Sequence, residues 1–156
     1  MRLWRWVKPS LVYAVHDMQL ARHGGLVGLR DKNAVESALG RAQQLSTCGE
    51  PVPDAADMAA AYAYGLARDH GFSDGNQRMA WVIARAFLMD NGESLGYTEI
   101  DAIHVMQQVA AGTIGEQELA QWFRCRLDSI VHYHAWTKKE HDAKACFKRP
   151  GNRSYR

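Results

Sequence analysis

An all-α bundle of about six helices is the fold class that this 156-residue chain predicts, and three observations carry the prediction. Apolar residues recur at spacings of three and four in one segment after another, the period of a helix with one buried face. These segments open on Ser, Thr, Asp or Gly and close on Gly or Asn, residues that satisfy helix ends. Convincing strand alternation and internal repeats are both missing from the sequence. A chain of this length buries a sizeable core without crosslinks, so one domain is the simplest organisation.

Ser10 is placed at the cap of a first helix that carries Leu11, Val12, Val15, Met18 and Ala21 on one side and stops at HGG, His23 to Gly25. Asp31 caps a second, with Ala34, Val35, Ala38, Leu39 and Ala42 at helical spacing. After the loop CGEPVP, Asp54 and Asp57 form a capping-box pattern for a third helix, AADMAAAYAYGLARDH. Its alanines let other helices approach closely, which makes it the candidate central helix. Gly75 to Asn91 reads as a fourth, with Ala80, Ile83, Ala84, Phe87 and Leu88 inward and Gly92 as its stop. Thr98 and Asp101 open a fifth, with Ile103, Met106, Val109 and Ala110 inward and Gly112 as its end. A sixth begins near Gly115, with Glu116 and Glu118 at the positive end of its dipole, and carries Leu119, Trp122 and Phe123, a stripe that Leu127 and Ile130 extend.

The formal net charge is +2, unevenly spread: residues 126–156 hold eight Lys or Arg and three acids, a local +5, which leaves −3 on residues 1–125. The expected division is a domain over 1–125 and a basic C-terminal extension over 126–156, helical at first and then flexible. Its basic residues are read as a solvated end, not as a nucleic-acid surface. Cys48, Cys125 and Cys146 are odd in number and widely spaced, which argues against a disulfide framework and for a reducing compartment. Cys125, His132, His134, His141 and Cys146 match no familiar zinc spacing. Of the aromatics, Trp122 falls on an apolar stripe and is assigned to the core, whereas Trp4, Trp6 and Trp136 stay undecided. No apolar run approaches the roughly 18 to 20 residues of a membrane span. Lys8, Pro9 and Asp17 interrupt any signal-peptide core, so the protein is expected to be cytoplasmic.

The most informative stretch is RDHGFSDGNQRMAW, Arg68 to Trp81, which breaks an apolar helical region with six functional-looking residues before the helix resumes. A Gly-containing turn at a helix N-terminus exposes backbone N–H groups and the positive end of the dipole, an anion site. Gly75 allows close backbone approach, Asn76 and Gln77 contribute early N–H groups, and Arg78 adds a forked cationic donor suited to phosphate. Asp74 suits a magnesium ion that one carboxylate shares with phosphate oxygens. His70, at the end of the preceding helix, can take a proton from an attacking hydroxyl. Phe72 reads as the plug that pins the loop to the core, and Arg68 as a further phosphate contact. Singly, a His at a helix end and an Asp-Gly-Asn turn are ordinary structural features; the spacing H-x-F-x-D-G-N-x-R is far more specific.

At His70, Phe72, Asp74, Gly75, Asn76 and Arg78 the chain resembles the Fic/Doc superfamily, whose core motif is H-x-F-x-[DE]-G-N-x-R. Within it the chain looks most like the death-on-curing toxins, through ARHGGLVGLRD, AAAYAYGLARDHGFSDGNQRMA, FLMDNG and AAGTIGEQELAQWF, over about residues 10 to 125. The resemblance implies a Fic fold with the motif loop between two central helices, ATP with Mg2+ as co-substrate, and modification of a protein hydroxyl. By position it makes His70 the catalytic base, Asp74 the metal ligand, Gly75, Asn76 and Gln77 the phosphate cradle and Arg78 a phosphate clamp. Arg68 matches an Arg found two residues before the motif His in death-on-curing proteins.

Two departures bear on the chemistry. AMP-transferring Fic enzymes usually have Gly where Gln77 stands and a second Arg where Trp81 stands; death-on-curing toxins usually have Lys at the Gln77 position, associated with a reversed nucleotide and γ-phosphoryl transfer to elongation factor Tu. Gln77 has the bulk of Lys without its charge, and phosphoryl transfer is the reading taken. Adenylyl transfer and a degenerate nucleotide-binding module are the alternatives. The inhibitory pattern [ST]-x-x-x-E-[GN] finds its nearest match at Ser46 to Glu50, but Pro51 follows and an inhibitory helix is not expected. This agrees with the death-on-curing arrangement, in which a separate small antitoxin protein neutralises the toxin.

Overall fold

The computed structural model describes residues 3–129. Of six helices, α1 (Pro9–His23), α2 (Lys32–Cys48), α3 (Ala55–Arg68), α4 (Asn76–Asp90), α5 (Glu99–Ala111) and α6 (Glu116–Arg124), four pack around α3 and α1 packs on α4. In α3, Ala55, Ala56, Ala59, Ala60, Ala61, Ala63 and Ala67 are all buried, so α2, α4, α5 and α6 can each approach it. The approach to α2 is close: a Cβ on Gly65 would lie 3.0 Å from the Cβ of Ala38. Small side chains let backbones close up; the larger Tyr62, Phe87 and Phe123 then fill the space between helices and are fully buried.

The expected caps hold for α2, α3 and α5. Asp31 accepts from the N–H groups of Asn33 and Ala34. Asp54 and Asp57, and Thr98 and Asp101, form reciprocal capping boxes. At α6 the Glu118 carboxylate accepts from the N–H of Gly115 at 2.6 Å. The first helix differs: it starts at Pro9 after Lys8, so Ser10 lies inside the first turn. Proline suits that position because its fixed φ is already helical and its missing N–H would have had no partner. Its buried face is also rotated from the expected one. Val12 and His16 are buried whereas Leu11 and Met18 are more than two-fifths exposed, because α1 turns a polar side chain toward the loop that follows α3.

A further difference concerns the end of the domain. Residues Leu127–Ser129 do not continue α6; they form a strand, β2, antiparallel to β1 (Glu93–Leu95), with Leu95 opposite Leu127 and Glu93 opposite Ser129. Leu127 packs against the core from this strand. Cys48 is free and exposed. The remainder of the basic extension, with Ile130, His132, His134, Trp136, His141 and Cys146, lies outside the described residues. Among the described residues no cluster of three potential ligands is placed to hold a metal, and no helix is long and apolar enough to cross a membrane. Trp122 is 9 % exposed and belongs to the core, as its stripe predicts, while Trp4 and Trp6 cover Phe87 at ring distances of 5.7 and 6.2 Å. Ser46 stays within α2, and Glu50 follows in an exposed turn that is no part of an inhibitory helix.

Arg124 ties α6 to the start of α3. Its Nε donates to Asp54 at 2.6 Å and its Nη2 to Asp57 at 2.8 Å, so one guanidinium closes the capping box. Partial burial acts to raise the Asp54 carboxyl, but hydrogen bonds from Arg124 and Asp57 outweigh it and hold the group below its ordinary 3.8. A carboxyl lowered in the folded state contributes stability fully above about pH 4 and loses it as the pH falls through the folded value. Urea unfolding at pH 6 and pH 3 should therefore show a stability loss on acidification that is smaller in Asp54→Asn. At neutral pH, Asp54→Ala should cost about 1 to 2 kcal/mol, as for loss of an N-cap.

Candidate active site

The helix ending at Arg68 stops two residues short of His70, which takes a left-handed φ of 49° and stands exposed outside it. For a non-glycine residue this conformation costs about 1 to 2 kcal/mol, so neighbouring contacts must hold it. They lie on both sides. Phe72 is 1 % exposed: its N–H donates to the Asn76 Oδ1 at 3.0 Å, and the Asn76 Nδ2 returns a bond to its carbonyl at 2.9 Å. The Asn76 amide thus closes the turn with its side chain, and Gly75, at φ 77°, starts α4.

A strap from the α1–α2 connection lies antiparallel beneath this loop. Arg30 and Asp31 donate to the Gly71 carbonyl, Ser73 donates to Gly28 at 3.1 Å, and Leu29 pairs with Phe72. The strap also reaches the metal-ligand candidate: the Asp74 Oδ2 accepts from the N–H of Leu26 at 3.4 Å, and its Oδ1 from Gly75 at 2.7 Å. A Cβ on Gly25 would stand 2.8 Å from that Oδ2 at a φ of 129°, so only glycine lets the strap come so close.

His16 completes the seat, and sequence reasoning missed it. Its ring stacks on Phe72 with centroids 4.1 Å apart and planes 18° from parallel, and its Nε2 lies 3.4 Å from the Asp74 carbonyl oxygen. At 6 % exposure it is the only buried polar side chain among the described residues. A polar residue four positions after Val12 on a helix that otherwise faces the core was the available signal.

Above the loop opens a cleft of about 760 Å3 between α4, α5 and the end of α1. It gathers His70, Asp74, Gly75, Asn76, Gln77 and Arg78, with Trp81, Arg85 and Tyr97 further along and Ala102, Ile103 and Met106 from α5. The first residue of α4 whose N–H finds a backbone acceptor in its own helix is Met79, bonded to Gly75 at 2.9 Å; the earlier N–H groups point out of the helix end into this cleft. Two carboxylates, Asp74 and Glu99, two imidazoles, and the forked donors of Arg78 and Arg85 therefore line a cleft at an electropositive helix end.

Arg68 does not join them. Its Nη1 donates to the carbonyls of Val109 and Ala110, both at 3.4 Å, and its guanidinium sits 6.0 Å from the Tyr64 ring, which makes it a cap on the end of α5. The last carbonyls of a helix attract a cation, which accounts for this placement. Ile103 departs from expectation in the opposite sense: assigned to the core, it is 55 % exposed and lines the cleft.

A six-helix bundle with this loop seated between two packed helices is a Fic-type architecture. The family profile described as Fic/DOC family matches residues 6–88, 83 of the 156 residues, and the chain belongs to that family. It is 36 % identical over 88 residues to the protein named Protein kinase doc of Escherichia phage P1, an overlap of 56 % of this chain and 69 % of that protein. It is 39 % identical over 110 residues to Toxin Doc of Mycolicibacterium smegmatis, covering 69 % of this chain and 76 % of that one.

The seat can be tested without any assay of activity. His16→Ala removes a buried ring and opens a cavity beneath Phe72, and should lower unfolding free energy by about 2 to 4 kcal/mol. His16→Phe keeps the stack and should lose less than half as much; equal losses would mean that the ring contact is unimportant.

Proposed function

We propose that this protein is the toxin of a toxin–antitoxin pair and transfers the γ-phosphoryl group of ATP to a hydroxyl of a target protein in the cytoplasm. The observation that carries the reading is the convergence, in one cleft, of an exposed His70, the Asp74 carboxylate and the open amino end of α4 with Arg78 beside it. The kinship to proteins named as a kinase and as a toxin supports the class of activity. Elongation factor Tu is the proposed target, and a small protein antitoxin the proposed partner.

In this reading the triphosphate lies over the N–H groups of Asn76, Gln77 and Arg78. Backbone donors and the helix dipole favour its charge at no reorganisation cost. The Arg78 guanidinium adds paired hydrogen bonds to phosphate oxygens. His70 takes the proton of the acceptor hydroxyl as that oxygen bonds to the γ-phosphorus; the bond to the bridging oxygen breaks and ADP leaves with the electron pair. Its left-handed backbone carries the imidazole beyond the end of α3, clear of the helix, into the cleft where an incoming hydroxyl would meet it.

Asp74 is suited to a magnesium ion. Magnesium is usually held by one or two carboxylates and the substrate phosphates, not by a cage of protein ligands, and here a single exposed carboxylate is aimed by two backbone N–H groups beside the phosphate position. Bound there, the ion would neutralise developing charge on the phosphates. Gln77, exposed at the second position of α4, offers neutral hydrogen bonding where a cation would hold phosphate more tightly. Slower transfer than in a lysine-bearing relative follows from that difference.

Incubation with ATP, Mg2+ and elongation factor Tu, followed by intact mass of the factor, tests the reading. A phosphoryl-sized increase is expected, reduced at least about 100-fold in His70→Ala and in Asp74→Asn. An adenylyl-sized increase would assign AMP transfer instead. ATP binding without transfer to any target, unaffected by His70→Ala, would make the domain a binding module.

A further inference from the structure

Among the described residues, two side chains that line the cleft carry hydroxyl groups, Ser73 and Tyr97. They stand in different surroundings. Tyr97 packs edge to face on Trp81 at 4.9 Å with the Arg85 guanidinium 5.1 Å over its ring, beside α4 residues that stand more than one turn from the amino end of that helix. Ser73 lies inside the motif loop itself, between the buried Phe72 and Asp74, and is exposed.

The position of Ser73 is fixed from two sides. Its N–H donates to the Gly28 carbonyl at 3.1 Å, which ties it to the strap, and the paired bonds between Asn76 and Phe72 close the turn around it. A Cβ on Gly28 would stand 3.3 Å from the Ser73 Oγ, so a side chain on the strap would crowd the hydroxyl that this glycine leaves clear. His70 is three residues before Ser73 and Asn76 three after it. Three residues of chain span at most about 11 Å, so the hydroxyl, the proposed base and the amino end of α4 share one small region of the cleft. A hydroxyl held beside a phosphoryl donor needs no diffusional encounter, and it reacts as if present at a concentration far above that of a separate acceptor.

We propose that Ser73 is a phosphoryl acceptor for ATP bound in its own cleft, and that phosphoserine at this position then shuts the cleft. The proposal rests on the nucleotide reading of the motif loop. The Ser73 Oγ bonds to the γ-phosphorus while its proton passes to the His70 imidazole; the bond from that phosphorus to the bridging oxygen breaks, and ADP leaves with the electron pair. The phosphoserine carries a charge of about −1.5 to −2 at neutral pH, three residues ahead of α4. A phosphate there meets the N–H groups of Asn76, Gln77 and Arg78 that would otherwise hold the triphosphate, and the positive end of the helix favours it. It also repels a second triphosphate. Transfer to Ser73 thus closes the nucleotide site by the reaction that the site performs, and an acceptor protein competes with it.

Incubation of the full chain with Mg·ATP and no acceptor protein, followed over time by intact mass and phosphopeptide mapping, tests the acceptor role. A phosphoryl-sized increase carried by Ser73 is expected, absent from Ser73→Ala and reduced at least about 100-fold in His70→Ala, with a first-order rate constant unchanged on dilution of the protein. Calorimetry tests the closure: Ser73→Asp, which fixes a negative charge at the position, should weaken Mg·ATP binding about tenfold or more relative to Ser73→Asn, which has the same shape without the charge. No increase in a protein that binds Mg·ATP, or an increase carried by another residue, would overturn the acceptor role and leave the nucleotide reading intact. A rate constant that falls on dilution would assign the transfer to pairs of molecules and overturn transfer within one cleft. Equal affinities of Ser73→Asp and Ser73→Asn would overturn the closure. Failure of the unaltered protein to bind Mg·ATP would overturn the nucleotide reading and the proposal together.

Discussion

The paired hydrogen bonds between the Asn76 carboxamide and the backbone of Phe72 close the turn on which the cleft depends. They hold the loop at the one point where it changes direction, and so determine where His70, Asp74 and the first N–H groups of α4 point. The bonds persist because they are sheltered: Phe72 is buried against His16, and the strap from the α1–α2 connection covers the backbone on the other side. An amide pair open to water contributes little net free energy, whereas a sheltered pair cannot be exchanged for water without loss.

That arrangement divides the labour within the motif. The side chains of Asn76 and Phe72 are engaged in holding the turn. The two N–H groups that orient the Asp74 carboxylate come from its own turn and from the strap. His70 alone has no structural duty visible in its surroundings and an unfavourable backbone conformation. Contacts on both sides of the loop hold this conformation in place.

The three arginines of this region show how position overrides residue type. Arg78 follows the turn and lines the cleft, Arg85 follows two turns later on the same helix and steadies Tyr97, and Arg68 ends α3 and caps α5. Their charges are alike. Their partners differ because α3 ends facing the last carbonyls of α5, whereas α4 begins facing open space.

Much of this was readable from the chain alone. Six helices, the capping boxes at Asp54 and Thr98, the alanine face of α3 and the motif loop between α3 and α4 follow from local rules, since spacing and caps are properties of neighbouring residues. Tertiary structure decided the rest. Whether His16 is a solvated residue or a seat for Phe72 depends on contacts between positions 56 apart in the chain. Leu127 could extend a helix or form a strand, and pairing with Glu93–Leu95 settles it in favour of the strand. Ile103 satisfies a core pattern on its own helix, but the neighbouring helix leaves a cleft there. Sequence periodicity records which residues share a face; which faces meet, and where they leave a gap, is set by how the helices pack.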